Sequence, residues 1–226
     1  MGIQNQIHDI QKRIQDSAVR VGRNPSDILL LAVSKTVSSD NIQKAYDAGL
    51  KDFGENRVQE ALEKMPLLPW DARWHLIGQL QTNKINKTLG RFVLIHSIDS
   101  PELAQAVSNR QSDNTQDVLL EVNTSGEPNK SGVDPAQTLL VAQTLSKLPH
   151  LKLKGLMTMG PLTKDISKQR DAFKKLKEIF EQISSKKSLG DSFSVLSMGM
   201  SGDFEMAVEE GSTLVRVGSA IFGVRS

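Results

Sequence analysis

The sequence predicts an α/β fold, a single (β/α)8 TIM-type barrel with one extra helix at its N-terminus. Two observations lead to this prediction. Short apolar segments alternate with amphipathic segments from end to end, which is typical of parallel strands joined by helical crossovers. Eight such apolar segments can be counted, and eight parallel strands close a barrel. An open doubly wound sheet is the alternative, because strand counts made from a sequence are easily wrong by one or two.

The elements follow in a regular order. A first amphipathic helix is predicted over residues 4–22, and a later one over 166–184, where Phe173, Leu176 and Phe180 recur at helical spacing. Ser100-Pro101 and Asp134-Pro135 each place a capping side chain before a proline, which indicates a helix start. The last helix should be short or missing, and the N-terminal helix could cover the surface that it leaves bare. The predicted strands are 28–34, 52–54, 74–78, 92–98, 118–122, 153–157, 194–198 and 214–217.

Length and composition limit the classes of protein to consider. A chain of 226 residues is long enough for one barrel of roughly 200–250 residues, and we expect a single domain over residues 1–226. The net charge of +2 does not favour nucleic acid or an anionic membrane as a partner. The absence of cysteine excludes disulfides and thiolate metal sites. The first residues lack the basic and apolar regions of a secretion signal, so we expect a cytoplasmic protein.

Lys35 is the most informative residue, because it ends the apolar run of the first predicted strand. In α/β barrels the chemistry is placed at the carboxyl ends of the strands. Lysine is also the side chain that condenses with carbonyl groups to form Schiff bases. A strand-end lysine is usually only a solvated side chain, so this interpretation needs support from other residues.

That support comes from two turns rich in glycine and serine, at the ends of the seventh and eighth strands. Residues 197–203 and 216–223 form these turns, at the place where barrels commonly bind phosphate. We expect donors from the hydroxyl groups of Ser201 and Ser219 and from the amides of Gly218 and Ser219. Such turns often serve the chain reversal alone.

A carbonyl-trapping lysine beside a phosphate site suggests pyridoxal 5'-phosphate, which carries an aldehyde and a phosphate on one ring. Arg216 would then point toward the pyridine nitrogen. An arginine stays protonated near neutral pH, so it would donate a hydrogen bond to that nitrogen without protonating it. Asn56 and His75 lie at two further strand ends, where a turn asparagine and a structural histidine are the simpler interpretations. No histidine and carboxylate cluster has the spacing of a metal site.

The chain resembles the pyridoxal phosphate homeostasis protein family, whose members have one barrel similar to the N-terminal domain of alanine racemase. The resemblance extends over nearly the whole chain and rests on motifs at residues 32–36, 53–60, 74–84, 122–132, 155–159, 196–203 and 215–223. It implies that Lys35 holds the cofactor as an internal aldimine, that Ser201, Gly218 and Ser219 contact the phosphate and that Arg216 contacts the ring nitrogen. It also implies that Asn56, His75 and Ser197 are cofactor-pocket residues.

The resemblance implies a cofactor carrier, which takes part in intracellular buffering or delivery of pyridoxal phosphate and in amino-acid and keto-acid balance, without catalytic residues. An amino-acid racemase or decarboxylase is the first alternative, and a Schiff-base aldolase is the second. Racemases of this kind take an acid or base from a second domain, for which this chain is too short. The one tyrosine, Tyr46, falls within a predicted helix. We expect a monomer whose partners are the cofactor and, by extension, apo-enzymes that receive it.

Overall fold

Eight parallel strands form a closed barrel in the computed structural model, which describes residues 2–111, 114–185 and 192–223. Each strand pairs with the next along the chain, and the last strand pairs with the first. The barrel prediction is therefore confirmed and the open sheet is excluded. The strands are β1 (Leu29–Val33), β2 (Asp52–Glu55), β3 (Arg73–Leu76), β4 (Leu94–Ile98), β5 (Gln116–Glu121), β6 (Leu151–Met157), β7 (Val195–Ser197) and β8 (Leu214–Val217).

Helices fill the connections between the strands, and both capping signals of the sequence are used. Ser100 caps the helix that begins at Pro101, whereas Asp134 caps a short 3-10 turn, Pro135–Gln137, ahead of the helix that begins at Thr138. The Ser100 hydroxyl accepts a hydrogen bond from the Leu103 amide, and the Asp134 carboxylate accepts one from the Ala136 amide. The helices of the described residues are α1 (Ile3–Arg20), α2 (Ser39–Asp47), α3 (Val58–Lys64), α4 (Ile85–Thr88), α5 (Pro101–Ser108), α6 (Thr138–Leu145), α7 (Ile166–Ser185), α8 (Phe204–Glu209) and α9 (Ser219–Phe222).

Each strand contributes side chains alternately to two apolar cores, because successive side chains of a strand point to opposite faces of the sheet. The outer core lies between strands and helices, and Ala32 and Phe53 belong to it. The inner core fills the barrel itself with the side chains of Leu31, Leu94, Leu119, Met157 and Leu214. The barrel is consequently a packed body whose open end, at the carboxyl ends of the strands, is the place for a ligand.

Helix α1 covers the surface that the short α9 leaves open, as the sequence analysis expects. It packs against α8 and α9 through a buried apolar face that includes Ile7 and Ile10. Its polar side pairs Arg13 with Glu205 on α8, at 2.7 Å between Nη2 and Oε2. None of the helices in the described part of the chain is both long enough and apolar enough to cross a bilayer.

Candidate cofactor-binding site

A cavity of about 430 Å³ opens at the carboxyl ends of the strands. Six of the eight predicted site residues line it, although they come from four separate stretches of the chain. Two of the six residues follow strands β1 and β2, and the other four lie on or after strands β7 and β8. These six residues are Lys35, Asn56, Ser201, Arg216, Gly218 and Ser219, and they share the cavity wall with Val33, Ile77, Met159, Met200 and Gly202.

Lys35 lies on a strained turn that directly follows β1. The next residue, Thr36, has φ of +59°, a left-handed conformation that residues with a side chain rarely adopt. The Thr36 amide donates a hydrogen bond to Oε1 of Glu60 on α3, which holds the turn in this conformation. The backbone position of Lys35 is therefore determined by a side chain of the following βα unit.

A group of ionisable side chains, the buried Glu55 and Lys64 and the half-buried Glu60, supports this turn and is called the lysine cluster below. Lys64 Nζ donates to Ser34 O at 2.8 Å, to Glu55 Oε1 at 2.8 Å and to Glu60 Oε1 at 2.6 Å. Burial raises the pKa of Glu55, and the hydrogen bonds from Lys64 and Ser34 offset only part of that effect. Burial also acts on Glu60, but the bonds from Lys64 and Thr36 outweigh it and lower its pKa.

The two glycine and serine turns meet at the cavity, as predicted. Ser201 Oγ, after β7, accepts hydrogen bonds from the amides of Gly218 at 3.1 Å and Ala220 at 3.3 Å, after β8. The turns therefore brace each other, and the Gly218 amide that we expected to face a phosphate is directed at Ser201. Gly199 makes the first turn possible, because it has φ of +93° and a Cβ there would lie 2.5 Å from Ala207 Cβ.

Arg216 forms the charged part of the cavity floor. Its guanidinium donates to Ser197 Oγ at 2.6 Å and to Thr158 O at 2.8 Å. Burial lowers its pKa to about 10, while the negative charges of Glu121 and Asp203 act in the opposite direction. The guanidinium is therefore still protonated at neutral pH, and it can donate hydrogen bonds to a ligand but accept none.

His75 and Ser197, the other two predicted pocket residues, do not line the cavity but lie buried beneath it. Ser197 is linked to the cavity wall by the hydrogen bond that it accepts from Arg216. His75 lies between Asp52 Oδ1, at 3.0 Å from Nε2, and His96 Nε2, at 3.1 Å from Nδ1. Sequence reasoning missed His96, although strand alternation alone would have pointed it into the barrel together with Leu94.

Asn56 reaches the cavity because Gly78 allows a close approach of two strand ends. A Cβ on residue 78 would lie 2.3 Å from the carbonyl oxygen of Asn56, so only glycine fits there. Ile77 and Met159 were not among the predicted site residues, whereas both line the cavity. Their apolar surfaces suit one face of a flat ring.

The residues around the cavity fit pyridoxal phosphate chemically. A lysine amine, a cationic donor and a serine-rich turn match an aldehyde, a ring nitrogen and a phosphate respectively. No group of histidine, cysteine and acidic residues in the described ranges has the arrangement of a metal site. Tyr46 lies outside the cavity, and its hydroxyl is hydrogen-bonded to Asp71.

Comparisons with known proteins agree with this chemistry. The family model "Alanine racemase, N-terminal domain" matches residues 10–226. A pyridoxal phosphate homeostasis protein from Aquifex aeolicus is 43% identical over 219 residues, which cover 96% of this chain and 95% of the relative. The similarity thus extends over almost the whole length of both chains.

Two solved structures share the fold at high similarity. A protein from Bifidobacterium adolescentis is 40% identical with a TM-score of 0.93, and the match covers 97% of this chain and 94% of that one. PipY of Synechococcus elongatus, solved with pyridoxal phosphate bound, is 35% identical with a TM-score of 0.81, covering 95% of this chain and all of PipY. The barrel of the present chain is therefore similar to one that has been observed with this cofactor.

Proposed function

The chain belongs to the pyridoxal phosphate homeostasis protein family, and we propose that it binds pyridoxal 5'-phosphate reversibly and buffers or delivers it. The single observation that carries the proposal is the convergence on one cavity of Lys35, Arg216 and the braced turns at Ser201 and Ser219. PipY, a relative of nearly the same length, has been solved with this cofactor bound.

Lys35 is the residue to which we assign the covalent bond. Its amine adds to the aldehyde carbon and one water molecule leaves, so a C=N bond replaces the C=O bond with no change in oxidation state. The reaction is reversible, because water can add again and release both partners. Arg216 would donate to the ring nitrogen, and the hydroxyls of Ser201 and Ser219 would hold the phosphate.

Storage rather than catalysis is the function that this cavity supports best. Chemistry at the Cα of an amino acid needs an acid or base on the face opposite the lysine. The single tyrosine of the chain, Tyr46, is held by Asp71 outside the cavity. Arg216 is a cation that cannot give the ring nitrogen a proton easily, so the ring would be a poor electron sink.

An absorbance titration tests whether Lys35 binds the cofactor. The wild-type protein should develop the visible band of a C=N bond as pyridoxal phosphate is added, and Lys35→Ala should not. Lys12→Ala, which changes an exposed lysine on α1, is the matched control and should behave as wild type. A colourless wild-type protein at saturating cofactor would remove the proposal.

The phosphate assignment is tested separately by the double variant Ser201→Ala and Ser219→Ala. The cofactor should dissociate roughly tenfold or more faster, because hydrogen bonds to a charged group are lost, while the visible band still forms. An unchanged dissociation rate would mean that the phosphate binds elsewhere.

A transfer experiment separates delivery from catalysis. The loaded protein is mixed with a pyridoxal phosphate-dependent apo-enzyme, whose recovery of activity is compared with that given by free cofactor at the same concentration. If contact promotes delivery, the apo-enzyme should recover activity faster than the cofactor dissociates spontaneously from the loaded protein. If the protein only buffers the cofactor, the two rates should be equal. Turnover of an amino acid by the loaded protein alone would favour the racemase or decarboxylase alternative.

A further inference from the structure

A continuous chain of hydrogen bonds crosses the barrel interior beneath the cavity. It begins at Asp52, the first residue of β2, and passes through His75 on β3 and His96 on β4 to Ser197 and Arg216 on β7 and β8. The successive heavy-atom distances are 3.0, 3.1, 3.2 and 2.6 Å. All five side chains are buried. This set is called the histidine chain below.

The direction of the bonds can be worked out from the Asp52 end. Burial raises the pKa of Asp52, but hydrogen bonds from His75 and Arg73 outweigh it, so its pKa is lower than usual. Asp52 is therefore a carboxylate, which can only accept. His75 must accordingly carry a proton on Nε2, the nitrogen that faces Asp52.

The proton on His96 follows from the low pKa of this ring and from the Arg216 end of the chain. Burial, together with the positive charges of His75 when protonated and of Arg216, keeps the pKa of His96 well below its usual value. The charge of Asp52 is already balanced by Arg73, whose Nε donates to it at 2.8 Å. At the other end the Arg216 guanidinium can only donate to Ser197 Oγ, so among its partners in the described residues the Ser197 hydroxyl has only His96 Nδ1 to accept its own proton.

These conditions leave one pattern of donors and acceptors. Because His96 Nδ1 accepts from Ser197, the single proton of this neutral ring lies on Nε2, which donates to His75 Nδ1. His75 therefore carries its proton on Nε2 alone. Ser197 then donates its hydroxyl proton to His96 and offers its lone pairs to Arg216. Every group in the chain has a partner with the right polarity.

We propose that His75 and His96 are positioning residues, both neutral and both protonated at Nε2, through which Asp52 fixes Ser197 as the acceptor for Arg216. The inference rests on the proposed function, because it gives Arg216 its orientation toward the ring nitrogen. With Ser197 and Thr158 as fixed acceptors, the guanidinium is held in one plane and its remaining N–H groups can be directed into the cavity.

Nitrogen-15 NMR of the cofactor-free protein tests the tautomers directly. The chain has four histidines, of which His8 and His150 are exposed and serve as internal references. At about pH 7.5, where ordinary histidines are neutral, His75 and His96 should both show a protonated Nε2 and a bare Nδ1. The reference histidines should show the mixture of tautomers typical of solvent exposure. A protonated Nδ1 on either buried ring would overturn the proposal.

A second measurement compares two ligands in the variant His96→Leu. The ligands are pyridoxal phosphate and its analogue with a C–H in place of the ring nitrogen. The variant should bind pyridoxal phosphate roughly tenfold more weakly, the effect of one lost hydrogen bond to a charged group, and bind the analogue as wild type does. Equal losses for both ligands would mean that His96 only supports the fold and would contradict the proposal.

The two tests also separate the inference from the proposed function. The tautomers are read without any cofactor, so they stand even if wild-type protein binds neither ligand. In that case the assignment of the cavity fails, whereas the histidine chain remains as a structural feature. His96→Leu should still form the visible band, because Lys35 belongs to a different group of residues.

Discussion

Two groups of polar side chains support residues that line the same cavity, and they differ in how they do so. The lysine cluster consists of charged groups and holds a piece of backbone, the strained turn at Thr36. The histidine chain has charges only at its ends and holds a side chain, the guanidinium of Arg216. The backbone beside Lys35 and the guanidinium of Arg216 are thus held by independent means.

The lysine cluster and the histidine chain also differ in the direction in which the pKa of a buried carboxyl group is shifted. Burial raises the pKa of Glu55 in the lysine cluster, where hydrogen bonds from Lys64 and Ser34 are insufficient to reverse it. In the histidine chain the bonds to Asp52 from His75 and Arg73 more than offset burial. Two buried carboxyl groups of the same barrel therefore have pKa shifts of opposite sign, because their hydrogen-bond donors and neighbouring charges differ.

The largest expected effect comes from removing the one cation of the lysine cluster. Lys64→Met should lower the free energy of unfolding by about 3–5 kcal/mol, because it leaves Glu55 and Glu60 without their common partner. Urea denaturation measures this loss. The control Lys12→Met removes an exposed ion pair with Asp16 and should cost far less. Similar losses in the two variants would mean that the cluster is not structurally important.

The opposite pKa shifts predict opposite dependences of stability on pH. The pKa of Glu55 is higher in the folded protein than in the unfolded chain. Its contribution to the stability of the fold is therefore complete below the unfolded pKa and is lost as the pH rises through the folded pKa. Glu55→Gln has no proton to lose. Its urea midpoint should therefore decline less than that of wild type as the pH is raised above about 4.5. Parallel curves would contradict the raised pKa.

Asp52→Asn should change how stability depends on pH at the acid end of the range. The folded pKa of Asp52 is lowered, so its contribution is present above the unfolded pKa and is lost as pH falls through the folded value. The variant should be less stable than wild type at neutral pH, and the difference should shrink in acid below about pH 3.8. A difference that stays constant down to low pH would mean that Asp52 is not stabilised as an anion.

A smaller effect is expected at the turn itself. Because Thr36 has a positive φ, Thr36→Gly should be about 1 kcal/mol more stable than Thr36→Ala in urea denaturation. The same pair of substitutions at the exposed Lys44, inside helix α2, should give the reverse order. If alanine were the better residue at both positions, the turn would not be strained.

Most of the fold could be predicted from the sequence. The eight strands and the covering role of α1 follow from apolar patterns that are local, and local patterns depend little on the rest of the structure. The lysine cluster was not predicted, although residues 55, 60 and 64 lie close together in the sequence, at the end of β2 and in α3.

The histidine chain could not be predicted in the same way. Its members are single polar residues in apolar strands, and the pair His96 and Ser197 is separated by 101 positions in the sequence. Only barrel closure brings them together, so no local pattern in the sequence reveals the contact. For this reason His75 and Ser197 were predicted to lie in the pocket, and His96 was not predicted at all. Six predicted residues line the cavity because strand ends converge there in every barrel of this kind.

Chemical reduction of the bound cofactor tests the central claim most directly. The protein is loaded with pyridoxal phosphate, treated with borohydride to convert any C=N bond into a stable amine, and digested for peptide mass analysis. The account predicts one modified lysine, Lys35, and no modification in Lys35→Ala. Cofactor fixed on another lysine, or on none while the visible band is present, would contradict it.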